Sequence, residues 1–315
     1  STVSKVLNNY EHVSDKTKAK VMAAVEELNY VPNSIASALS SKQSRRVGVV
    51  FFINNQRQAI DEINMQYLFG ALNTAKELKL ELVTVFSPNL ENMTSHELER
   101  HFLSLRLNAL VIYGLHKEEK SFLELIDQEK FPTVIVDAPI YGEKTSYVMV
   151  DHQKAQYDIV CEMIDQHENI ESFLYLAARS DGFVTDLRLQ GAVDASVDRG
   201  VKINAQYANF SETEANQITL KYAEHESMVV AASDLMAIGS VNALKELDIF
   251  RPVCGFDGIT LLGYIDYRIL TVRQNFFDLS RHAIQEVDRL LSGKAGREVL
   301  MNYEIQTISY DDIIN

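Results

Sequence analysis

The sequence predicts an α/β protein made of two doubly wound parallel-sheet lobes, preceded by a small, partial all-α segment. From residue 46 onward, apolar runs of strand length alternate with amphipathic helix-length segments, which is typical of parallel sheets covered on both faces. This alternation occurs twice, which indicates two units of similar size. Before residue 46 the periodicity is helical, and 315 residues are enough for more than one domain.

The leading segment is predicted to hold a short helix, a longer helix and a hinge. Residues 1–8 form the short helix, and residues 14–30 form the longer one with Ser14 as its N-cap. The apolar positions of the longer helix recur at helical spacing: Val21, Ala24, Val25 and Leu28. Pro32 ends it, because the residue before a proline is disfavoured in the α region. The hinge that follows is too short to be a stable helix by itself.

In the body, the predicted strands alternate with helices along most of the chain. The first lobe has strands at 47–53, 80–86, 109–113, 133–136 and 147–150, and helices at 65–78, 95–105 and 121–128. The second has strands at 172–178, 201–208, 228–232, 253–256 and 269–272, and helices at 153–166, 184–199, 212–224 and 234–247. Ligands bind at the carboxyl ends of such strands, and two facing units form a cleft.

Charge separates the leading segment from the body. Residues 1–46 contain seven basic and four acidic residues, a net charge of +3, which leaves −17 for the rest of a chain whose net charge is −14. A basic end on an acidic body is expected where that end alone meets a polyanion such as DNA. The two cysteines are expected to be buried free thiols in a reducing compartment. No apolar run is long enough to span a membrane, and no secretory signal is apparent, so we expect a cytoplasmic protein.

Several fragments closely resemble the lactose/galactose repressor family of bacterial transcriptional regulators. In the leading segment they are TVSKVLN at 2–8, VS at 13–14, LNYVPN at 28–33 and LSS at 39–41. In the body they are VGVV at 47–50, RLQG at 188–191, ASDLMAIG at 232–239 and GFD at 255–257. The resemblance implies a helix-turn-helix headpiece, whose first helix we expect to be missing here, and a periplasmic-binding-protein-like core.

The resemblance also implies a division into domains. The headpiece is expected at residues 1–31, and the hinge helix and linker at 32–46. The N-terminal lobe is expected at 47–150 plus about 276–304, and the C-terminal lobe at 151–275 plus about 305–315.

The resemblance places DNA-binding residues in the leading segment: Ser1, Thr2, Ser4, Lys5, Asn33, Ala36 and Leu39. Lys5 suits guanine O6 and N7 in the major groove, and Leu39 suits a wedge in the minor groove. Two other interpretations stay open: Lys5 as a solvated surface residue, and Leu39 as an apolar contact of the linker.

It likewise places effector-binding residues in the body: Asn55, Asp137, Arg188, Phe210, Ser233, Asp257 and Phe276. A guanidinium and two carboxylates at strand ends can hydrogen-bond sugar hydroxyls, and aromatic rings suit the C–H face of a sugar. Arg188 could instead form a salt bridge with Asp181 or Asp186. Both carboxylates could cap the following helices, Asp234 is expected to be a helix cap, and either Phe could be core.

The sequence therefore predicts a repressor, not an enzyme, whose operator affinity is controlled by a sugar or sugar phosphate. The partners implied are pseudo-palindromic operator DNA and a second copy of the chain, with no cofactor and no metal. The eight histidines are scattered and no nucleophile or phosphate-loop motif occurs, which disfavours an enzyme. The alternative is a sugar-binding protein without a DNA role.

Overall fold

In a computed structural model of the chain, the structure describes residue 6 and residues 14–27, 45–52 and 61–314. The chain divides into two compact units, Ser1–Arg45 and Arg46–Asn315. In the first unit, helix α1 spans Asp15–Glu27. Ser14 directly precedes it, as predicted, and its carbonyl accepts a hydrogen bond from the Lys18 amide at 3.0 Å.

The second unit contains two six-stranded sheets, which confirms the predicted fold class. The first sheet has the strands β1 (Arg46–Phe51), β2 (Glu81–Phe86), β3 (Ala109–Tyr113), β4 (Thr133–Val136), β5 (Thr145–Val150) and β11 (Glu298–Met301). Its helices are α2 (Asp61–Leu78), α3 (Ser95–Ser104), α4 (Lys120–Asp127) and α9 (Phe276–Leu291). The strand order is β11-β5-β4-β3-β1-β2, and every pairing is parallel.

The second sheet repeats the design. Its strands are β6 (Ser172–Ala177), β7 (Lys202–Tyr207), β8 (Met228–Ala231), β9 (Val253–Asp257), β10 (Ile269–Arg273) and β12 (Glu304–Thr307). Its helices are α5 (His152–Gln166), α6 (Phe183–Arg199), α7 (Glu212–Tyr222), α8 (Asp234–Glu246) and α10 (Asp311–Ile314). The order is β12-β10-β9-β8-β6-β7, parallel except for β10 with β12.

Apolar strands explain the parallel sheets. All residues of β3, β4 and β5 are buried, because helices cover both faces of the first sheet. Apolar layers lie on the two faces, one beneath α2 and α9 and the other beneath α3 and α4. The second sheet has its own core.

The chain passes between the two sheets three times: from β5 to α5, from β10 to α9, and from β11 to β12. The ten predicted strands are all present, with ends within a few residues of the expected ones. Helices α9 and α10 and strands β11 and β12 were not predicted as elements.

Candidate ligand site between the two lobes

Three of the predicted effector residues meet where the two sheets present their carboxyl edges. Asp137 directly follows β4 of the first lobe, Asp257 ends β9 of the second, and Arg188 lies on α6. Nη1 of Arg188 donates to the carbonyl oxygen of Ala232 and lies 3.5 Å from Oδ1 of Asp257. The carboxyl ends of β8 and β9 therefore hold this guanidinium.

A histidine joins Arg188 to Asp137. Nε2 of His152 lies 2.9 Å from Oδ1 of Asp137, and Nδ1 of His152 accepts from Nε of Arg188 at 3.3 Å. His152 is fully buried at the start of α5, where the chain passes from one sheet to the other. Two further donors complete what we call the interlobe network: Tyr67 to Asp137 at 2.9 Å and Gln274 to Asp257 at 3.2 Å.

The Arg188 side chain is buried, with 3% of the residue exposed. Its Cζ atom lies 3.7 Å from the centroid of the Phe256 ring, a cation–π geometry. The alternative prediction that Arg188 forms a salt bridge with Asp181 or Asp186 is wrong. Asp181 instead pairs with Arg179, and Asp186 pairs with Lys117.

The backbone at both carboxylates has positive φ. The angle is +64° at Asp137 and +123° at Asp257, and non-glycine residues in such conformations concentrate at binding sites. The alternative interpretation, in which Asp137 and Asp257 cap the helices that follow them, is wrong. Asp151 caps α5 by accepting from the Lys154 amide, and no side chain caps the 3₁₀ turn that follows Asp257.

Burial and charge set the protonation of the network. Burial alone raises the pKa of Asp137, but the hydrogen bond from His152 and the charge of Arg188 outweigh it and hold the pKa below its ordinary value. Burial and the charge of Arg188 lower the pKa of His152, so the ring is neutral. Burial raises the pKa of Asp257, against the charge of Arg188. The network thus combines an ionised carboxylate, a neutral imidazole and a carboxyl group inclined to keep its proton.

Asp234 has a different role from the one predicted. Ser233 is the N-cap of α8 and accepts from the Met236 amide at 3.4 Å, so the prediction that Asp234 is the cap is wrong. Oδ2 of Asp234 instead accepts from the amides of Gly258 and Ile259, at 2.6 and 2.9 Å. Asp234 thereby fixes the loop that follows Asp257.

Of the remaining predicted effector residues, one adjoins the network, one lies in a loop of the second lobe and one is outside the described residues. Phe276 is buried against the ring of Tyr67, with centroids 5.4 Å apart, and so adjoins the network. Phe210 is half-buried in the loop after β7 and packs on the second-lobe core. Asn55 and the seven DNA-binding candidates lie outside the described residues: Ser1, Thr2, Ser4, Lys5, Asn33, Ala36 and Leu39.

Sequence reasoning missed Tyr67, His152 and Gln274. A signal existed for two of them, since Gln274 directly follows β10 and His152 comes two residues after β5, at carboxyl strand ends. Tyr67 carries no such signal, because it lies on the buried face of an amphipathic helix where an aromatic residue is ordinarily core.

The interlobe network offers hydrogen-bond donors and acceptors to a small polar ligand. Among the described residues, no group of three or more His, Cys, Asp or Glu side chains could hold a metal ion. Within the same residues, no helix is long and apolar enough to cross a bilayer. The fold and the site define a two-lobed ligand-binding core.

Comparisons with known proteins show which regulators this chain is similar to. Residues 1–33 match the model of bacterial regulatory proteins, lacI family. The chain is 28% identical to the HTH-type transcriptional regulator AscG of Escherichia coli (strain K12) over 93% of this chain and 88% of that protein. It is 23% identical to catabolite control protein A of Priestia megaterium over 97% of this chain and 92% of that protein.

Solved structures share the fold. The lac repressor dimer bound to operator and the anti-inducer ONPF aligns with a TM-score of 0.82 at 22% identity, over 98% of this chain and 94% of that one. The complex of the transcriptional regulator CelR with cellobiose aligns with a TM-score of 0.73 at 21% identity, over 97% and 94% of the two chains. Residues 1–33 thus match the lacI family, and over nearly its whole length the chain is similar to regulators such as AscG and catabolite control protein A. The prediction of a transcriptional regulator that is not an enzyme is thereby confirmed.

Proposed function

We propose that this chain is a cytoplasmic DNA-binding repressor whose operator affinity is controlled by a small polyhydroxylated ligand held between its lobes. The observation that carries the proposal is the convergence of Arg188, Asp257 and Asp137 in a chain whose residues 1–33 match the lacI family. That match also argues against the alternative, a binding protein without a DNA role.

A sugar is the ligand class that fits the interlobe network. Arg188 can donate to hydroxyl oxygens, and Asp137 can accept from hydroxyl groups. Arg188 is the one cationic side chain in this network and its charge is already offset by the ionised Asp137, so a neutral sugar fits better than a sugar phosphate. The cellobiose bound in the CelR structure supports the same class.

The domain boundaries complete the proposal. We assign residues 47–150 and about 276–304 to the N-terminal lobe, and 151–275 and about 305–315 to the C-terminal lobe. The pairing of β11 with β5 and of β12 with β10 supports this division. Residues 1–31 are assigned to the headpiece and 32–46 to the hinge and linker.

In the headpiece and hinge, the DNA-reading roles stay predictions. Ser1, Thr2, Ser4, Lys5 and Asn33 fall within the family match, while Ala36 and Leu39 lie beyond it.

Ligand binding is proposed to change the angle between the lobes. Because the two binding events are then linked, each must alter the affinity of the other by the same factor.

Two copies are proposed to pair through an exposed apolar stripe on α2. Met65, Phe69 and Leu72 recur at helical spacing and are 42–51% exposed. Such a stripe on an otherwise acidic body is typical of a protein–protein interface. A second copy is the occupant that a two-fold symmetric operator requires.

The proposal is tested by binding the complete gene product to DNA from upstream of its own gene across a series of salt concentrations. The logarithm of the binding constant should fall linearly with the logarithm of the salt concentration. Leu39→Ala should weaken DNA binding and leave sugar binding unchanged. DNA binding that is weak and insensitive to salt would contradict the DNA role.

The ligand class is tested by thermal unfolding with cellobiose and a panel of neutral sugars, matched against the corresponding sugar phosphates. A ligand that binds only the folded chain raises the Tm, so a neutral sugar should raise it more than its phosphate does. A larger rise with the phosphate would contradict the assignment to neutral sugars.

A further inference from the structure

A continuous line of hydrogen bonds runs from one lobe to the other through a single residue, His152. On the first-lobe side, Asp137 accepts from both Tyr67 and His152, at 2.9 Å each. On the second-lobe side, Arg188 donates to His152 at 3.3 Å and also contacts Asp257. His152 belongs to α5, the first segment after the chain leaves the first sheet.

The chemistry of Arg188 fixes the tautomer of His152. A guanidinium has five N–H donors and no acceptor, so Nδ1 of His152 must present its lone pair to Nε of Arg188. The proton of the neutral ring is then on Nε2, from which it donates to Oδ1 of Asp137. One imidazole thus accepts from the second lobe and donates to the first.

The surroundings of His152 hold the ring in place. The ring is fully buried, and its centroid lies 5.6 Å from the centroid of the Phe256 ring. The Phe256 ring also lies against Arg188. The charged groups around His152 are Asp137, Arg188 and the neighbouring Asp151. The Asp151 carboxylate accepts a hydrogen bond from the Lys154 amide. A second proton on the ring would bring an N–H group against Nε–H of Arg188.

We propose that His152 is the positioning residue that couples the two lobes, by orienting Asp137 and Arg188 through one fixed tautomer. A ligand that shifts the Arg188 guanidinium then shifts the His152 ring, and through it Asp137, the hydrogen-bond acceptor of the first lobe. This role rests on the proposed function for its ligand, but the coupling itself is present in the chain without ligand.

Other contacts also join the lobes, among them the ion pairs of Lys117 with Asp186 and of His116 with Asp181. The Lys117 amide donates to the carbonyl of Asp181 at 2.9 Å, and the Thr260 amide donates to Oε2 of Glu62 at 3.1 Å. These contacts lie on loops and at a helix start, and each pairs one lobe directly with the other. His152 differs from them because it contacts both Arg188 and Asp137.

The coupling is tested by measuring the distance between spin labels on the two lobes of the full chain, without sugar or DNA. Cysteines replacing the exposed Ser104 of α3 and Glu246 of α8 would carry the labels, since the native Cys161 and Cys254 are buried. His152→Leu should lengthen and broaden the distance distribution. His152→Gln, which keeps a donor and an acceptor, should stay close to the wild type. Identical distributions in the wild type and His152→Leu would overturn the proposal.

A second measurement covers the case in which His152→Leu does not fold. In wild-type protein with ¹⁵N-labelled histidine, the His152 signal is identified as the one of eight that is lost in His152→Gln. The proposal requires the neutral Nε2–H form at pH 7. An Nδ1–H tautomer or a charged ring at that pH would overturn it. Both measurements omit the ligand, so their failure is distinct from failure of the proposed sugar site.

Discussion

Arg188 serves the fold as well as the proposed ligand site. Its guanidinium is buried, stacked on Phe256 and bonded to the carbonyl of Ala232, so it ties α6 to the carboxyl ends of β8 and β9. Replacing Arg188 should therefore weaken the fold as well as the ligand site, because the ends of two strands depend on this side chain.

Arg188→Ala should lower the free energy of unfolding by roughly 3 kcal/mol, since breaking a buried charge pair by removing one partner leaves the other without compensation. The raised pKa of Asp257 limits the loss, because that carboxyl group can keep its proton. Urea unfolding measures the change. Arg199→Ala on the same helix is the control, since its pair with Asp165 is exposed and should contribute little. Equal losses in the two variants would contradict the role given to Arg188.

The residues of the candidate site were predictable only in part. Arg188, Asp137 and Asp257 came from resemblance to a family and from their places at or near strand ends. His152 was missed because a lone histidine after a strand does not reveal which groups will surround it. Its partners come from positions 137 and 188, and only the folded chain brings those together.

Among the elements, α5 and α6 show how a small residue sets the position of the site. A Cβ atom on Gly191 of α6 would lie 2.1 Å from the carbonyl oxygen of Gln153 on α5. The two helices therefore touch through their backbones. This contact fixes the spacing between His152 at the start of α5 and Arg188 one turn before Gly191.

Gly191→Ala should force the two helices apart and lower stability by about 1–3 kcal/mol, as overpacking does, although alanine is the better helix former. The Tm from circular dichroism gives the result. Val197→Ala, at a 73% exposed position of the same helix, is the control and should change stability by less than about 0.5 kcal/mol. A Gly191→Ala variant as stable as the wild type would show that α5 and α6 can separate without cost.

The fold was more predictable than the site because most elements carry a strong local pattern. Strands such as Ala109–Tyr113 are uninterrupted apolar runs, which a parallel sheet requires. Strands β11 and β12 were missed because they are four residues long and half exposed, so little apolar periodicity marks them. Their assignment to different sheets depends on pairing with distant strands.

At the scale of the whole molecule, charge and exposed apolar surface assign different partners to different parts of the chain. The net charge of +3 in residues 1–46 suits DNA, while the −17 of the remainder repels it and keeps contact to one end. On that acidic remainder, Met65, Phe69 and Leu72 form an exposed apolar stripe on α2. Tyr264 and Tyr310 form a second exposed apolar contact, with ring centroids 5.5 Å apart.

Phe69→Glu should convert the proposed dimer into a monomer, because it places a carboxylate in an apolar interface. A loss of about 3 kcal/mol corresponds to a dimer Kd raised by roughly a hundredfold, which sedimentation equilibrium can resolve. Leu103→Glu is the matched control, since Leu103 is 55% exposed on α3 of the same lobe and lies outside the stripe. If both variants stay dimeric, or both become monomeric, the pairing surface is not the α2 stripe. Operator affinity should fall in Phe69→Glu alone, because a single headpiece can occupy only one half-site.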